Sequence, residues 1–519
     1  MRKKGTIVFV ILLVVLVIPS WALSASKKPK GRLVFAYPSL GIEVHDGVKT
    51  LGGSEEAIIQ SLGDGLCLKY YKGASPSYQP AIATSWKASP DLKAWEFTIR
   101  KDVIFHDGTP LTVEDIVYTW DRVLHDPLTA LSSPRRIIKS VEAVGDDRVV
   151  FNLKRPYPFL LTYASRYAIQ PKAYSERVGK EEFEKHPIYA GPWKLVKHLQ
   201  GDYVELEAFE GHYRQVPHAK TLILKVVPEQ STQLAMLKTG EVDIVAQIFG
   251  GSIIEGIRND PNLALITFPA PAEIYVYFSH LTRLDNPPTV FRDKRVRHAL
   301  SYALDRKLLN EKIFAGTAQP ASTICILPGT PEWHPSCTPF PLDIEKAKAL
   351  LAEAGYPNGF EAKLMLTPRE KTIGEACALM WSKIGVKINI DMRETGTVTR
   401  QIRKRQLPDS LRVSRHPTGP AAMSYFFPKK ALYNHMVDDI LDELTATMST
   451  FPEGPEMDEF VKNEMCGYIH DLMPGIPILA TSYIYGMRAG IGGRYKWLEI
   501  GTRHANYGPA AEYLIPVVR

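Results

Sequence analysis

Alternating apolar and polar residues divide the chain into interleaved strands and helices. The residues from Gly31 to Tyr37 are largely apolar and are bounded by Gly31 and Pro38, which predicts a first strand. Residues 95–100 alternate apolar and polar side chains, as a half-buried strand does. Thr112 is placed to cap a helix that continues through Trp120. The first third of the chain is therefore predicted to be mixed α and β.

The second half has the clearer pattern. Apolar residues at helical spacing predict one long amphipathic helix within 293–314, and Asp343 is placed to cap another helix. Residues 360–366 and 386–392 alternate as strands, and 372–384 between them has helical spacing. A strand, helix and strand in about 30 residues form a βαβ unit, so the pattern predicts an α/β fold.

The first 25 residues have the order of a secretory signal peptide. Positive residues at 2–4 precede twelve uninterrupted apolar residues at 7–18, and small residues follow at 22–25. Twelve residues rise about 18 Å as a helix, less than a hydrocarbon core of about 30 Å. We expect cleavage, no lipid attachment because no cysteine lies nearby, and a soluble periplasmic protein. An uncleaved membrane anchor is the alternative.

Composition excludes several classes of protein. Hydrophobic residues make up 45% and charged residues 23% of 519, which is ordinary for a large globular protein of about three to five structural units. Without the three cations of the leader, the net charge falls from +7 to +4. So weak a charge over so long a chain argues against a nucleic-acid partner.

The five cysteines fit an exported protein that is not held together mainly by disulfides. Cys325 and Cys337 bracket a proline-rich loop, and we predict a disulfide between them that closes a ring of about 13 residues. Cys67, Cys377 and Cys466 lie in apolar patterns and are predicted to be small core residues.

No catalytic motif is present. The sequence contains no Gly-x-Ser-x-Gly, no His-Glu-x-x-His, no phosphate-binding loop and no Cys-x-x-Cys. His106 stands beside Asp107, but the Asp-Gly pair that follows is typical of a turn. We therefore predict no enzymatic activity, no metal and no cofactor.

A set of short segments, spread from the first third to the end of the chain, does resemble a known family. They are Pro80–Trp86, Val103–Pro110, Ala190–Trp193, Leu237–Asp243, Val296–Arg306, Ala354–Gly359 and Leu472–Pro477. In this order they resemble the family 5 solute-binding proteins, the oligopeptide/dipeptide type that serves ABC importers. The resemblance implies a two-lobed periplasmic-binding-protein fold of type II, with a hinge and an extra inserted domain.

The resemblance also implies a domain organisation. Lobe I is expected to combine 26–62, 187–285 and 483–519, with a small domain inserted at 63–186. Lobe II is expected at 286–482. The ligand would lie between the lobes and be enclosed as they close.

The expected ligand-binding segment departs from the family pattern. Peptide binders of the family carry an aspartate there that holds the α-amino group, but no carboxylate occurs between Ser410 and Asp438. Arg412, Arg415 and His416 occur instead. Guanidinium groups favour a carboxylate, sulfonate or phosphate through paired hydrogen bonds, so an anionic organic molecule competes with a peptide as the ligand. The alternative is that these arginines lie on the surface.

These considerations give a set of ligand-binding candidates, in which the tyrosines are expected to form aromatic walls of the cleft. The candidates are Tyr37, Ser39, Tyr275, Tyr277, Arg412, Arg415, His416 and Tyr425. We expect a monomeric periplasmic receptor that delivers a peptide or an anionic small molecule to an ABC-type permease. An exported hydrolase with an unrecognised active site is the alternative.

Overall fold

The computed structural model describes residues 28–517, with gaps at 42, 50–54, 72–75, 130–132, 249, 280, 282–288, 395–396, 399–400, 403–405, 409, 430, 432–433, 435, 494–501 and 504–510. The predicted signal peptide at 1–25 lies outside the described residues. In the described part of the chain, no helix is long and apolar enough to cross a membrane.

Strands occur along the whole described chain. They are β1 (Arg32–Tyr37), β2 (Cys67–Tyr71), β3 (Pro76–Pro80), β4 (Ala83–Ala88), β5 (Ala94–Ile99), β6 (Ile138–Val144), β7 (Arg148–Leu153), β8 (Trp193–Leu199), β9 (Tyr203–Ala208), β10 (Thr221–Val226), β11 (Ile244–Val245), β12 (Leu263–Phe278), β13 (Gln319–Pro320), β14 (Glu361–Leu366), β15 (Lys387–Met392), β16 (Leu411–Pro417), β17 (Gly475–Arg488) and β18 (Thr502–Arg503).

Helices alternate with these strands. They are α1 (Glu55–Leu62), α2 (Val113–His125), α3 (Ser133–Ile137), α4 (Leu160–Ala164), α5 (Lys172–Val178), α6 (Lys180–Lys185), α7 (Gln230–Thr239), α8 (Gly251–Arg258), α9 (Lys294–Tyr302), α10 (Arg306–Phe314), α11 (Ile344–Glu353), α12 (Lys371–Ser382), α13 (Pro420–Phe426), α14 (Asp439–Met448), α15 (Pro455–Phe460) and α16 (Cys466–Leu472). A π-helical segment, Val461–Met465, joins α15 to α16, and short 3₁₀ turns lie at Val290–Arg292, Pro368–Glu370 and Ala511–Tyr513.

The largest sheet of the described chain has eleven strands, in the order β15-β14-β16-β12-β17-β11-β1-β10-β9-β8, with β13 added beside β17. The long antiparallel pair of β12 and β17 lies at its middle. On one side of this pair β16 pairs with β12, and on the other β11 pairs with β17. The pair of β12 and β17 therefore joins the strands β14 to β16 on one side to the strands β1 and β8 to β11 on the other.

The strand β1 lies inside the sheet and pairs in parallel with β10 and β11. Its residues from Leu33 to Tyr37 are all buried, because helices or loops cover both faces of a parallel strand. This explains why the segment contains a continuous apolar run rather than a strict alternation.

A separate four-stranded antiparallel sheet has the order β4-β5-β7-β6, and β2 and β3 form a smaller sheet with β18. The side chains of β5 alternate between buried and half-buried positions, as predicted for residues 95–100. Apart from β18, both sheets are built within 63–186. The lobe and domain boundaries given above stay a prediction.

Several predicted elements are confirmed. Thr112 caps α2 in a reciprocal capping box with Asp115, and the side chain of Asp343 accepts the N–H of Lys346 at the start of α11. The strands β14 and β15 pair in parallel on either side of α12, so the predicted βαβ unit is present. Local signals decided these elements because each requires only neighbouring residues.

The long helix predicted within 293–314 is wrong. Two helices, α9 and α10, occupy the segment, and the break lies at 303–305. The carboxylate of Asp305 accepts the N–H of Leu308 over 2.9 Å and starts the second helix. The apolar spacing continues across the break because both helices pack against the same core.

Candidate ligand-binding cleft

A cavity of about 870 Å³, called the cleft below, lies between two walls that come from distant segments of the chain. One wall contains β3, β4, β5 and the loop after β7. The facing wall contains the end of β16, the helix α13 and the loop before α15. A cavity of this size accommodates a small-molecule ligand, and its walls come from segments between residues 56 and 483.

Aromatic side chains line the first wall. The indole N–H of Trp95 donates to the carbonyl oxygen of Tyr157 over 3.3 Å, which fixes the ring. The hydroxyl of Tyr78 lies 2.8 Å from Oγ1 of Thr162, and Trp86 is half-buried beside them. These rings give the ligand an apolar surface with a fixed shape.

Tyr425 on α13 belongs to the facing wall and touches the first one. Its ring meets the ring of Tyr163 edge to face, with the ring centres 6.1 Å apart. Tyr163 is completely buried in the core that contains Trp95. This contact therefore closes one side of the cleft.

Arg415 and His416 bring positive and polar groups to the end of β16. Nε of Arg415 donates to Oγ1 of Thr481 over 2.9 Å, and its guanidinium lies over the ring of Tyr483, 5.0 Å from the centre. The ring of His416 packs against Phe426, with the centres 4.4 Å apart. Both side chains are held in place by β17 and α13, and both line the cleft.

Four carboxylates also line the cleft, and the three that are not paired with Arg166 come from loops or from the start of a helix. Glu332 is 5% exposed and lies in the loop between Cys325 and Cys337, while Glu453 and Asp458 flank the start of α15. Among the described residues, no cation lies within ion-pairing distance of any of the three carboxylates.

Burial raises the pKa of all three carboxylates. For Glu332 and Glu453 the neighbouring charge of Asp458 adds to the effect of burial. The pKa of Glu453 is raised to about 7, although Lys69 opposes the shift. The side chain of Glu453 remains exposed to solvent although it lines the cleft.

These carboxylates lie outside residues 410–438, the segment in which the family resemblance places the counter-ion of the ligand. In the sequence Glu332 follows Pro331, and Glu453 lies between Pro452 and Gly454. The one local feature that these two glutamates share is a position in a proline-rich loop. It is shared by many surface residues, so it could not have selected these two.

A buried ion pair completes the cleft. Arg166 donates to Glu56, and both side chains line the cavity. Nε of Arg166 is buried and has no hydrogen-bond partner among the described residues. Arg166 largely neutralises the negative charge of Glu56, so Glu56 attracts a cationic ligand only weakly.

Two of the sequence-predicted site residues lie away from the cleft. Tyr37 is 1% exposed in the core formed around β1. Ser39 accepts the N–H of Gly41 with its hydroxyl oxygen over 3.0 Å, which stabilises a turn. Neither lines the cavity.

Three further candidates, Tyr275, Tyr277 and Arg412, do not line the cleft either. Tyr275 and Tyr277 on β12 are 1% and 7% exposed and belong to the core. Arg412 donates from Nη1 to the hydroxyl of Tyr277 over 2.8 Å, and its guanidinium lies over that ring. Of the eight candidates, the structure brings together Arg415, His416 and Tyr425 at the cavity.

The predicted disulfide between Cys325 and Cys337 is absent from the structure, where both residues are free thiols. Cys325 is held at its backbone, because its N–H donates to Glu273 and its carbonyl accepts the N–H of Gly419. The sulfur of Cys337 instead lies 3.0 Å from the sulfur of Cys466. Among the described residues, no contact joins the sulfur atoms of Cys325 and Cys337.

A second hollow, of about 910 Å³, lies elsewhere on the surface. Its lining residues include His45, His106 and His198, and all of them fall within 43–198. Unlike the cleft, it has no lining residue among the described residues of the second half of the chain. In the described part of the chain, no group of three or more histidine, cysteine or acidic residues is arranged to hold a metal ion.

Residues 77–431 match the family described as bacterial extracellular solute-binding proteins, family 5. The chain belongs to this family, whose members are binding proteins, and the resemblance predicted from the sequence is confirmed. The heme-binding protein A of Haemophilus influenzae is 29% identical over 353 residues, which cover 62% of this chain and 62% of that protein. The match thus spans less than two thirds of that relative.

Solved structures share the fold. The ABC transporter-associated periplasmic binding protein DppA from Helicobacter pylori, in complex with the peptide STSA, superposes with a TM-score of 0.77 at 21% identity, covering 89% of this chain and 95% of that one. The binding protein AgaA from A. tumefaciens R10, in complex with agropinic acid, gives 0.76 at 22% identity, covering 91% and 96%. The predicted α/β, two-lobed fold is therefore confirmed.

Proposed function

We propose that this protein is an exported receptor that binds a small solute in the cleft and delivers it to an ABC-type permease. The observation that carries this proposal is the cleft itself, which has aromatic side chains on its first wall and Arg415, His416 and carboxylates on the facing wall. Such a cavity encloses a solute when its two walls approach each other. The family supports the receptor role, and the H. pylori homologue is named as associated with an ABC transporter.

The charges of the cleft favour a zwitterionic solute. Arg415 and His416 suit an acidic group, and Glu332, Glu453 and Asp458 suit an ammonium group. The aromatic wall would pack against the body of the ligand. Short peptides and acidic conjugates of amino acids both have this chemistry. Lys69 and Arg369 also line the cleft, so a ligand with only negative charge would meet both attraction and repulsion there.

The remaining parts of the proposal follow from export. We expect the leader at 1–25 to be cleaved without lipid attachment, leaving a periplasmic monomer with no nucleic-acid partner. Intact-mass analysis of the exported protein tests the cleavage. A mass that retains Met1 to Ala25, together with recovery in the membrane fraction, would contradict it.

Binding without chemistry is preferred over hydrolysis. Oγ of Ser414 lies 3.0 Å from Nε2 of His416, but Ser414 does not line the cleft. A solute in the cavity would therefore not meet a serine nucleophile activated by that histidine. The test is mass spectrometry of the small molecule that co-purifies with the protein, followed by incubation of that molecule with fresh protein. A receptor returns it unchanged, whereas a new product would support the hydrolase.

The charge of Glu453 predicts how affinity depends on pH. Its pKa is raised to about 7 in the absence of ligand, and it faces Lys69 and Asp458. An ammonium group binds the ionised form, so lowering the pH below 7 protonates Glu453 and weakens binding. We expect Kd to rise by up to tenfold per pH unit between pH 7 and 5 and to change little between 7 and 8.

Titration calorimetry at several pH values checks this expectation with the co-purified solute. In Glu453→Gln the affinity at pH 8 should fall and the pH dependence should flatten. Glu345→Gln is the control, because Glu345 is exposed on α11 and does not line the cleft. Tighter binding at lower pH in the unmodified protein would indicate a purely anionic ligand instead.

A further inference from the structure

Two cysteines that are distant in sequence meet in the core beside the cleft. The sulfur atoms of Cys337 and Cys466 are 3.0 Å apart, and the two residues are 1% and 0% exposed. Cys337 ends the loop that begins at Cys325, and Cys466 is the first residue of α16. Among the described cysteines, no other two sulfur atoms lie within hydrogen-bonding distance of each other.

Hydrogen bonds from the neighbouring residues Trp333 and His334 hold the two cysteines close to each other. The indole N–H of Trp333 donates to the carbonyl oxygen of Cys337 over 3.0 Å, and this holds the end of the loop. The backbone N–H of His334 donates to the sulfur of Cys466 over 3.4 Å. A disulfide bond requires sulfur atoms about 2.05 Å apart, so a movement of about 1 Å closes the gap.

We propose that Cys337 and Cys466 form a disulfide bond in the exported protein. The proposal rests on this contact and on the extracellular location of the family, and it does not depend on the identity of the ligand. It also assigns Cys337 a partner different from the one that its position in the sequence suggested.

Because both thiols are buried in the folded protein, the bond forms during folding, by exchange with an oxidised protein disulfide of the export compartment. The thiolate of Cys337 attacks one sulfur of that carrier and forms a mixed disulfide, releasing the carrier's first thiolate. The thiolate of Cys466 then attacks the sulfur of Cys337 and releases the second. Two electrons and two protons pass from the cysteines to the carrier, which leaves as a dithiol.

The bond would fasten one end of a loop that contributes to the cleft. We call residues 325–337 the strap. At its first end, the N–H of Cys325 donates to Glu273 over 3.0 Å and its carbonyl accepts the N–H of Gly419 over 2.7 Å. At its second end the disulfide would join it to α16. Glu332 lies between these ends and lines the cleft, so both attachments position its carboxylate.

Peptide mapping of the unmodified protein tests the bond directly. Protein recovered from the periplasm is alkylated with iodoacetamide in denaturant without reductant and then digested. We expect a cross-linked peptide pair containing Cys337 and Cys466, with Cys67, Cys325 and Cys377 alkylated. Alkylated Cys337 and Cys466, or a cross-link between Cys325 and Cys337, would overturn the proposal.

Thermal unfolding gives an independent test. Because the bond closes a loop of about 130 residues, reduction with dithiothreitol should lower the melting temperature of the ligand-free protein by roughly 2–5 °C. In Cys466→Ala the reductant should have no effect, and in the control Cys377→Ala the effect should remain. An equal effect of reductant in Cys466→Ala and in the unmodified protein would contradict the assignment, whatever solute the cleft binds.

Discussion

Replacement of Arg415 by alanine is expected to lower the affinity of the protein for its solute by roughly tenfold to more than a hundredfold. The guanidinium lines the cleft and is held in one orientation by Thr481 and the ring of Tyr483. Hydrogen bonds to a charged group contribute about 1.5–3 kcal/mol each, and a cleft that excludes water preserves that contribution. Arg415→Lys should recover only part of the loss, because an ammonium group cannot form the paired hydrogen bonds of a guanidinium.

The chain offers a matched control on the same strand. Arg412 lies three residues earlier on β16, and it donates to the hydroxyl of Tyr277 without lining the cleft. Arg412→Ala should change the affinity by less than about threefold, although it should lower stability through the lost contact with Tyr277. Calorimetric titration with the co-purified solute, together with unfolding of the ligand-free proteins, separates the two effects. Unchanged affinity in Arg415→Ala would contradict the binding role of Arg415.

The largest loss of stability is expected from Arg306→Ala. The guanidinium of Arg306 is buried and donates to the carbonyl oxygens of Pro477, Ser301 and Phe340 at distances of 2.6–3.0 Å. Alanine would remove the side-chain donors of these three carbonyls, of which that of Ser301 keeps a backbone donor, the N–H of Leu304, and each buried group left unpaired costs about 1–3 kcal/mol. We therefore expect the free energy of unfolding to fall by about 3–5 kcal/mol.

Lys307→Ala is the control for this substitution, because the neighbouring side chain is exposed. It should change the free energy of unfolding by less than about 0.5 kcal/mol. Urea denaturation of the ligand-free proteins measures both values. A loss below about 1 kcal/mol in Arg306→Ala would mean that water replaces the guanidinium at these carbonyls. Burial lowers the pKa of Arg306 to about 10, so the side chain remains charged at neutral pH.

The sequence predicted elements whose formation depends on neighbouring residues. Thr112 and Asp343 were identified as caps, and the βαβ unit from β14 to β15 was predicted with its parallel pairing to within a few residues. The same reasoning failed at 303–305, where the apolar period continues through a break between α9 and α10. Periodicity reports which face is buried, and two short helices on one core have the same buried face as one long helix.

The cleft could be predicted only in part. Arg415, His416 and Tyr425 were found because they lie in one segment that aligns with the family's ligand-binding region. Arg412 was included with them, although strand β16 turns its side chain onto Tyr277. Arg412 lies on the same strand face as His416 but opposite Tyr277, further along β16 from the cleft, so its position depended on the pairing of β16 with β12.

By itself, then, the sequence determined the family, the α/β class and most of the local elements, because these depend on short motifs and on the spacing of apolar residues. The tertiary structure decided which distant groups meet. It placed Glu332 beside Asp458, and Cys337 beside Cys466 rather than Cys325. Neither contact has a local signature, since each joins residues more than 120 positions apart through the packing of a loop against helices. The chemistry of the cleft depends on such contacts.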